Sequence, residues 1–352
     1  FFVANLIIMN KRFYELFALC LLLFAFESVA QRRFRVMEYN VENLFDTIHA
    51  EGHQDEEFTP SGSKRWSEAK YWGKLSRISR VIAAIGGEAP VDLVALVEVE
   101  NDSVLSNLTQ RTKLRRLGYE YVVTHSLDTR GINVALLYQP ARFRPFGIHT
   151  LRIAPPSKTK LAPTRDILHV AGELVMGDTL DVFVCHFPSR RMEKLSAKYR
   201  MKVAQTLRHY ADSVMHHRNC PYLLLTGDFN SWYPEKDLLQ GLGVQLPDSS
   251  VSRTQLYILS HNLSASPAIT GTYRFQGEWN QLDHFIVSGS FLSPWPGRTL
   301  STRIRECRIV NLPFLLKKVK NKSLYTPYRT FLGNYYQGGF SDHLPLVLDL
   351  YF

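Results

Sequence analysis

Cysteine is scarce in this chain, 4 in 352 residues, and no two are spaced as Cys-x-x-Cys. Setting aside Cys20, which lies in an N-terminal apolar run, Cys185, Cys220 and Cys307 remain; an odd count excludes a disulfide framework and leaves room for one bridge at most. Cys185 and Cys220 sit in or beside apolar runs, where a thiol serves as a small core residue. Long hydrophobic runs are also missing: the apolar stretch at residues 16–26 is too short to cross a bilayer as a helix. No internal repeat and no low-complexity linker is present, which excludes solenoids and fibrous repeats. Charged residues make up 21% and hydrophobic ones 45%, so disorder is excluded and a well-packed core is expected. Negative charge is the minority, 32 Asp+Glu against 42 Lys+Arg. That net excess of +10, spread along the chain, favours a polyanionic partner such as nucleic acid, a phosphate ester or an anionic membrane surface.

The N-terminus has its own logic. Met9, Lys11 and Arg12 precede the apolar run, and Ser28-Val29-Ala30 follows it, the order of a secretory signal peptide. Cleavage is expected before Gln31. Phe1 to Ile8 carry no Met and read as upstream sequence, with Met9 as the start. Leu19 precedes Cys20, so the small-residue context of a lipid-anchored cleavage site is absent. The expected product is one domain over residues 31–352, secreted or periplasmic, with no transmembrane segment and no internal boundary.

Along that domain, short β-branched or aromatic runs alternate with amphipathic stretches, an α/β or α+β pattern. Strands are expected at 35–40, 93–99, 119–125, 133–138, 168–174, 181–186, 222–226, 283–287, 302–310 and 346–350. Helices are expected at 67–85, 102–117, 193–217 and 235–240. In the first helix Trp72, Leu75, Ile78, Ile82 and Ile85 recur at three- and four-residue spacing, giving one apolar face to cover a sheet. Turns, not helices, separate several strands, so mostly antiparallel pairing and two sheets face to face are expected.

Chemistry gathers where strands end. Asn40 closes Met37-Glu38-Tyr39-Asn40, and Glu98 closes Leu93-Val94-Ala95-Leu96-Val97-Glu98. An apolar strand carries a carboxylate only where it is paired or holds a cation. His186 ends Val184-Cys185-His186-Phe187-Pro188-Ser189-Arg190. Asp228 and Asn230 stand two apart in Thr226-Gly227-Asp228-Phe229-Asn230, on one side of the chain. Asp283 opens a strand in Gln281-Leu282-Asp283-His284, and Ser341-Asp342-His343 precedes the last one. Singly, each has an ordinary explanation as a strand cap, an ion pair, a turn or a satisfied core histidine.

Together and in this order the motifs resemble the endonuclease/exonuclease/phosphatase superfamily, over essentially the whole span from Asn40 to His343. Gly-Asp-x-Asn and Ser-Asp-His are the most diagnostic. Asn43-Leu44-Phe45-Asp46-Thr47, Arg130-Gly131-Ile132-Asn133 and His186-Phe187-Pro188-Ser189-Arg190 look like a secreted bacterial branch described as endonucleases. The resemblance implies a four-layer sandwich, two mostly antiparallel sheets flanked by helices, and Mg²⁺-dependent hydrolysis of a phosphodiester. It implies Asn40, Glu98 and Asp342 as ligands of one Mg²⁺, with Mn²⁺ or Ca²⁺ able to substitute. Asp228 and Asn230 would activate and orient the attacking water. His343, kept cationic by Asp283, would contact the scissile phosphate; His186 would act as general acid or transition-state donor, and Arg130 as a phosphate contact. Two departures stand out: Val97 precedes Glu98 where many members carry Gln, and the carboxylate that would orient His186 is not identifiable. The expected substrate is DNA or RNA, cleaved by a monomer. A lipid- or nucleotide-directed phosphodiesterase is the alternative, and a non-catalytic binding protein on the same scaffold is the second.

Overall fold

The structure, a computed structural model, describes residues 32–248, 250–319 and 324–352; the expected signal peptide lies outside them. Among the described residues eighteen strands occur: β1 (Arg33–Leu44), β2 (Leu93–Val99), β3 (Glu120–Val123), β4 (Asn133–Tyr138), β5 (Phe143–Leu151), β6 (Ile167–Leu174), β7 (Thr179–His186), β8 (Tyr222–Asp228) and β9 (Leu256–Ile258), followed by β10 (Tyr273–Phe275), β11 (Glu278–Asn280), β12 (Asp283–Ser288), β13 (Cys307–Ile309), β14 (Leu316–Lys318), β15 (Tyr325–Pro327), β16 (Phe331–Leu332), β17 (Tyr335–Tyr336) and β18 (Leu346–Tyr351). Twelve build two six-stranded sheets, ordered β13-β18-β1-β2-β4-β3 and β5-β6-β7-β8-β12-β9; the other six form three small hairpins. Pairing is antiparallel except at the centre of each sheet, where β1 runs parallel to β2 and β7 parallel to β8. The helices are α1 (Glu68–Gly86), α2 (Asp102–Arg111) and α3 (Glu193–His217).

Side-chain alternation explains the layers. In β8, Tyr222 and Leu224 enter the core between the sheets, while Leu223 and Leu225 pack beneath α3 with Tyr199, Val203 and Leu207. β7 divides likewise, Val182 and Val184 inward, Phe183 and Cys185 toward the helix. Strands buried on both faces therefore read as unbroken apolar runs. On the first sheet α1 supplies Leu75, Ile78 and Ile82, each fully buried and worth about 2 kcal/mol in transfer terms. The result is a four-layer α+β sandwich. No described helix is long and apolar enough to cross a membrane.

Several elements differ from expectation for local reasons. The helix expected to reach Leu117 ends at Arg111, because Thr112 is extended and its hydroxyl accepts from Leu114 N at 3.2 Å; a 3-10 turn covers Lys113–Leu117. The helix expected at 235–240 is a π-helical turn at Asp237–Leu242, closed by Gly243 at φ 70°. Only Cys307–Ile309 of the expected 302–310 strand pairs, with a 3-10 turn at Ile304–Glu306 before it. Pro145 and Gly147 hide β5 from a pattern search, yet at a sheet edge both are tolerated. Cys185 and Cys307 are buried free thiols, and Cys220 is a half-buried one.

Candidate active site

The two sheets meet at the ends of their central strands. In the second sheet, His186 lies beside Asp228 across the parallel β7–β8 pair, and Asp283 lies opposite Asp228 across β8–β12. Strand register alone thus brings together three residues far apart in sequence. Gly227 makes this possible: its φ is 131°, and a Cβ there would fall 1.9 Å from the Cys185 carbonyl oxygen. In the first sheet, β1 slips register against β2 between Asn40 and Leu44, and Glu42 and Asn43 both adopt φ near 50°. Glu98 itself has φ 68°, an uncommon state for a residue with a side chain. This turn sends its Oε2 to accept from Asn43 N at 2.8 Å and leaves Oε1 facing His186 Nε2 at 3.9 Å.

Asp228 Oδ2 is the hub. Asn40 Nδ2 donates to it at 3.1 Å, and Nε2 of His186 and of His343 stand 3.8 and 3.9 Å away. Asp228 Oδ1 accepts from Asn230 N at 2.8 Å; Asn230, at φ 49°, donates its amide to Phe187 O at 3.1 Å. His343 Nδ1 is bonded to Asp283 Oδ2 at 2.7 Å, and Thr272 donates its hydroxyl to the same oxygen. One face of the His343 ring is covered by Tyr273, centroid to centroid 4.7 Å.

Burial and crowding decide the charges. Burial, then the neighbouring Asp283 charge, raises Asp228 to about 7. Burial disfavours the His343 cation, but Asp283, Asp228 and Asp342 outweigh it and hold its pKa well above the usual histidine value. His186 goes the other way: burial, then the cations Arg165, Arg130 and His343, pushes it well below. Its Nδ1 has no partner among the described residues, so no carboxylate orients this ring.

Arg130 lies on the rim, 3.9 Å from Asp128 and donating to Asn43 Oδ1 at 3.4 Å. Asp342 is partly exposed, 3.5 Å from Arg329, and its charge is felt at Glu42, Lys74 and His343. Of the remaining polar residues near these motifs, Asp128 is buried against Arg165, Asp166 is buried against Arg152, and His125 is exposed.

Four residues escaped the motif reading. Glu38 is fully buried; neither of its carboxyl oxygens, nor Asp283 Oδ1, has a partner among the described residues. Burial, then Asp283, raises Glu38 well above the ordinary carboxylate value. Its position two before Asn40 puts it on the same strand face, a signal the sequence did contain. Glu42 accepts from the Thr330 and Phe331 amides, and burial raises it to about 7. Lys74, buried on α1, donates to Glu42 O and, at 2.7 Å, to Thr330 Oγ1; burial lowers it to about 8. Arg165, buried, donates to Phe187 O at 2.7 Å and sets the field at His186.

The donor set suits a hard divalent cation. Glu98 and Asp342 carry partly exposed carboxylates, Asn40 adds an amide oxygen, and Asp228 and Glu42 are lifted to about 7 by burial and by charges that a cation would neutralise. Among the described residues, carboxylate and imidazole atoms converge within 4.8 Å in two groups, Asp228-Asp283-His343 and His49-Asp55-Glu56.

Facing sheets with acids, amides and histidines gathered at their strand ends define a class of hydrolases acting on phosphoesters. The Endonuclease/Exonuclease/phosphatase family model matches residues 35–351, and the chain belongs to that family, whose members are divalent-metal-dependent phosphoester hydrolases. A family protein from Bacteroides thetaiotaomicron superposes with a TM-score of 0.56 at 15% identity, covering 92% of this chain and 98% of that one. The mannosyl-6-phosphatase of the same organism gives 0.56 at 15%, covering 91% and 100%. D. rerio TDP2, in complex with a single-strand DNA product, gives 0.54 at 13%, covering 90% and 98%. No curated protein matches in sequence.

Proposed function

We propose that this phosphoester hydrolase is an exported, Mg²⁺-dependent nuclease that cleaves phosphodiesters of DNA or RNA. The observation that carries it is the Asp228 hub, where one carboxylate stands beside a histidine held cationic and a histidine held neutral. Asp228 takes a proton from the attacking water, which Asn230 orients. His343, fixed by Asp283, donates from Nε2 to the phosphoryl oxygens as charge develops there. His186, neutral and free of an orienting carboxylate, donates a hydrogen bond without delivering a charge. Arg130 presents a planar fork to a non-bridging oxygen at the rim. Asn40, Glu98 and Asp342 would hold the Mg²⁺, which when bound supplies charge neutralisation at the phosphoryl group. The net charge of +10 supports a polyanionic substrate. Export rests on the signal-like order of Lys11, Arg12, the apolar run and Ser28-Val29-Ala30.

The test is incubation of the mature chain with plasmid DNA, RNA, a sphingomyelin analogue, a sugar phosphate and a small aryl phosphodiester, with and without Mg²⁺. Cleavage of a nucleic acid alone, dependent on Mg²⁺, is expected. Release of phosphate from the sugar phosphate with both nucleic acids intact would refute the nuclease reading. Amino-terminal sequencing of exported protein should begin at or near Gln31, and an intact Met9 would refute export by cleavage.

A further inference from the structure

Beyond the reacting groups, β10 and β11 form a hairpin against the site, tied to it by the isolated pairing of Tyr273 with His343. Tyr273 covers the His343 ring, and Phe275, two residues on along the same strand face, lies parallel to Tyr273 at 6.4 Å with an interplanar angle of 12°. Three flat rings therefore run outward in sequence from the histidine. Phe275 is 56% exposed, which is unusual for a phenylalanine at the end of a strand whose neighbours are half-buried. The hairpin is braced and not free: Arg274 donates to Gly277 O at 2.9 Å and to Tyr325 O on β15. An aromatic ring held rigidly, exposed on one side and continuous with the reacting histidine, has the form of a stacking platform for a planar group. Arg274, between the two rings in sequence, falls on the opposite strand face, so the platform itself is aromatic and fits the π-face of a base.

We propose that Phe275 is a base-stacking subsite for a nucleotide one or two positions from the scissile phosphate, so that the preferred substrate is a single strand with its bases unpaired. This rests on the nuclease reading above.

The experiment compares a single-stranded oligonucleotide with an oligomer of the same length in which tetrahydrofuran replaces every base, in Mg²⁺, using the full mature chain. The parent should cut the base-bearing strand with the higher kcat/KM. Phe275→Ala should lower that ratio about tenfold, chiefly through KM, and Phe275→Trp should restore it. Phe146→Ala, which removes an exposed ring on the β5 edge, should leave the ratio unchanged. A parent that cuts neither oligomer but cleaves plasmid DNA overturns the subsite alone, and one that cuts no nucleic acid overturns the nuclease reading and this subsite together. A parent that cuts both, with the ratio unmoved by Phe275→Ala, overturns the subsite alone. So does a KM increase in Phe275→Ala seen with a sugar phosphate and not with the base-bearing strand.

Discussion

Replacing Asp283 with Asn keeps its shape and removes one charge from a completely buried pair. The oxygen lost as an anion sits 2.7 Å from His343 Nδ1, and both side chains are nearly inaccessible. At an effective dielectric near 20, a charge pair about 4 Å apart interacts by about 4 kcal/mol, and a charge-assisted hydrogen bond contributes about 1.5–3 kcal/mol net. Loss of that interaction lowers the His343 pKa. Burial, opposed then only by Asp228 and Asp342, shifts the ring toward its neutral form at pH 7.5. If the cation is the form that serves the phosphate, kcat/KM at that pH falls at least about 100-fold. Asp283 is also a charge that raises Asp228, so its removal lets Asp228 ionise at lower pH. The parent requires Asp228 ionised and His343 protonated, giving an ascending limb near pH 7 and a descending limb on the alkaline side. In Asp283→Asn both limbs move toward acid, and part of the activity returns at a pH below the parent's optimum. The assay is the pH profile of kcat/KM, whose limbs report the coupled group and not either residue alone. A bell that stays in place, or a variant as active as the parent at pH 7.5, would refute the reasoning.

Three other outcomes are expected. Asp228→Asn should lose about 3 kcal/mol or more of barrier lowering with no rescue by Mg²⁺, whereas Glu98→Gln should regain part of its activity as Mg²⁺ is raised; Mg²⁺ titrations of initial rate separate the two. In urea melts without divalent ions, stability should fall as pH rises from about 4 to 7. Across that range the native chain holds protons on Asp228 and Glu42 that the unfolded chain releases, and moving one carboxyl from near 4 to about 7 costs roughly 4 kcal/mol above that window; His343, raised in the fold, loses its contribution in the same direction at still higher pH, and Mg²⁺ should offset part of the neutral-pH loss. Gly227→Ala should destabilise by about 3 kcal/mol or more, seen as a lowered Tm, since its Cβ has no room beside Cys185 O.

What could be read from the sequence followed strand ends. Runs such as Tyr222–Asp228 and Leu93–Val99 are largely apolar on both faces, and each carries a carboxylate at or next to its last residue, Asp228 and Glu98, so their place in the core and their chemistry were both visible. What escaped lay in features without periodicity. Glu38 sits in mid-strand among residues that are all buried, where composition predicts no acid; only its face, shared with Asn40, marks it. Arg165 and Lys74 look like ordinary surface cations in sequence, and their burial follows from a tertiary fit that no local pattern encodes. The missing carboxylate beside His186 was visible as an absence. Its physical counterpart, a ring whose pKa is lowered by burial first and then by Arg165 and Arg130, needed coordinates. The small hairpins from β14 to β17 have two or three paired residues each, too short for an alternation to declare itself.

The pairing of β1 with β18 sets a clock on the enzyme's synthesis. Arg33 at one end of the domain is laid against Tyr351 at the other, and His343 hangs from the turn that leads into that last strand. β1 can pair with β2 early in synthesis, but its other edge stays open, and the imidazole cannot reach Asp283, until β18 and the turn before it have been made. A nascent chain that stops short of this turn carries Asn40, Glu98, His186 and Asp228 without the imidazole of His343. The Asp228–Asp283–His343 group therefore assembles only once that last strand has been made.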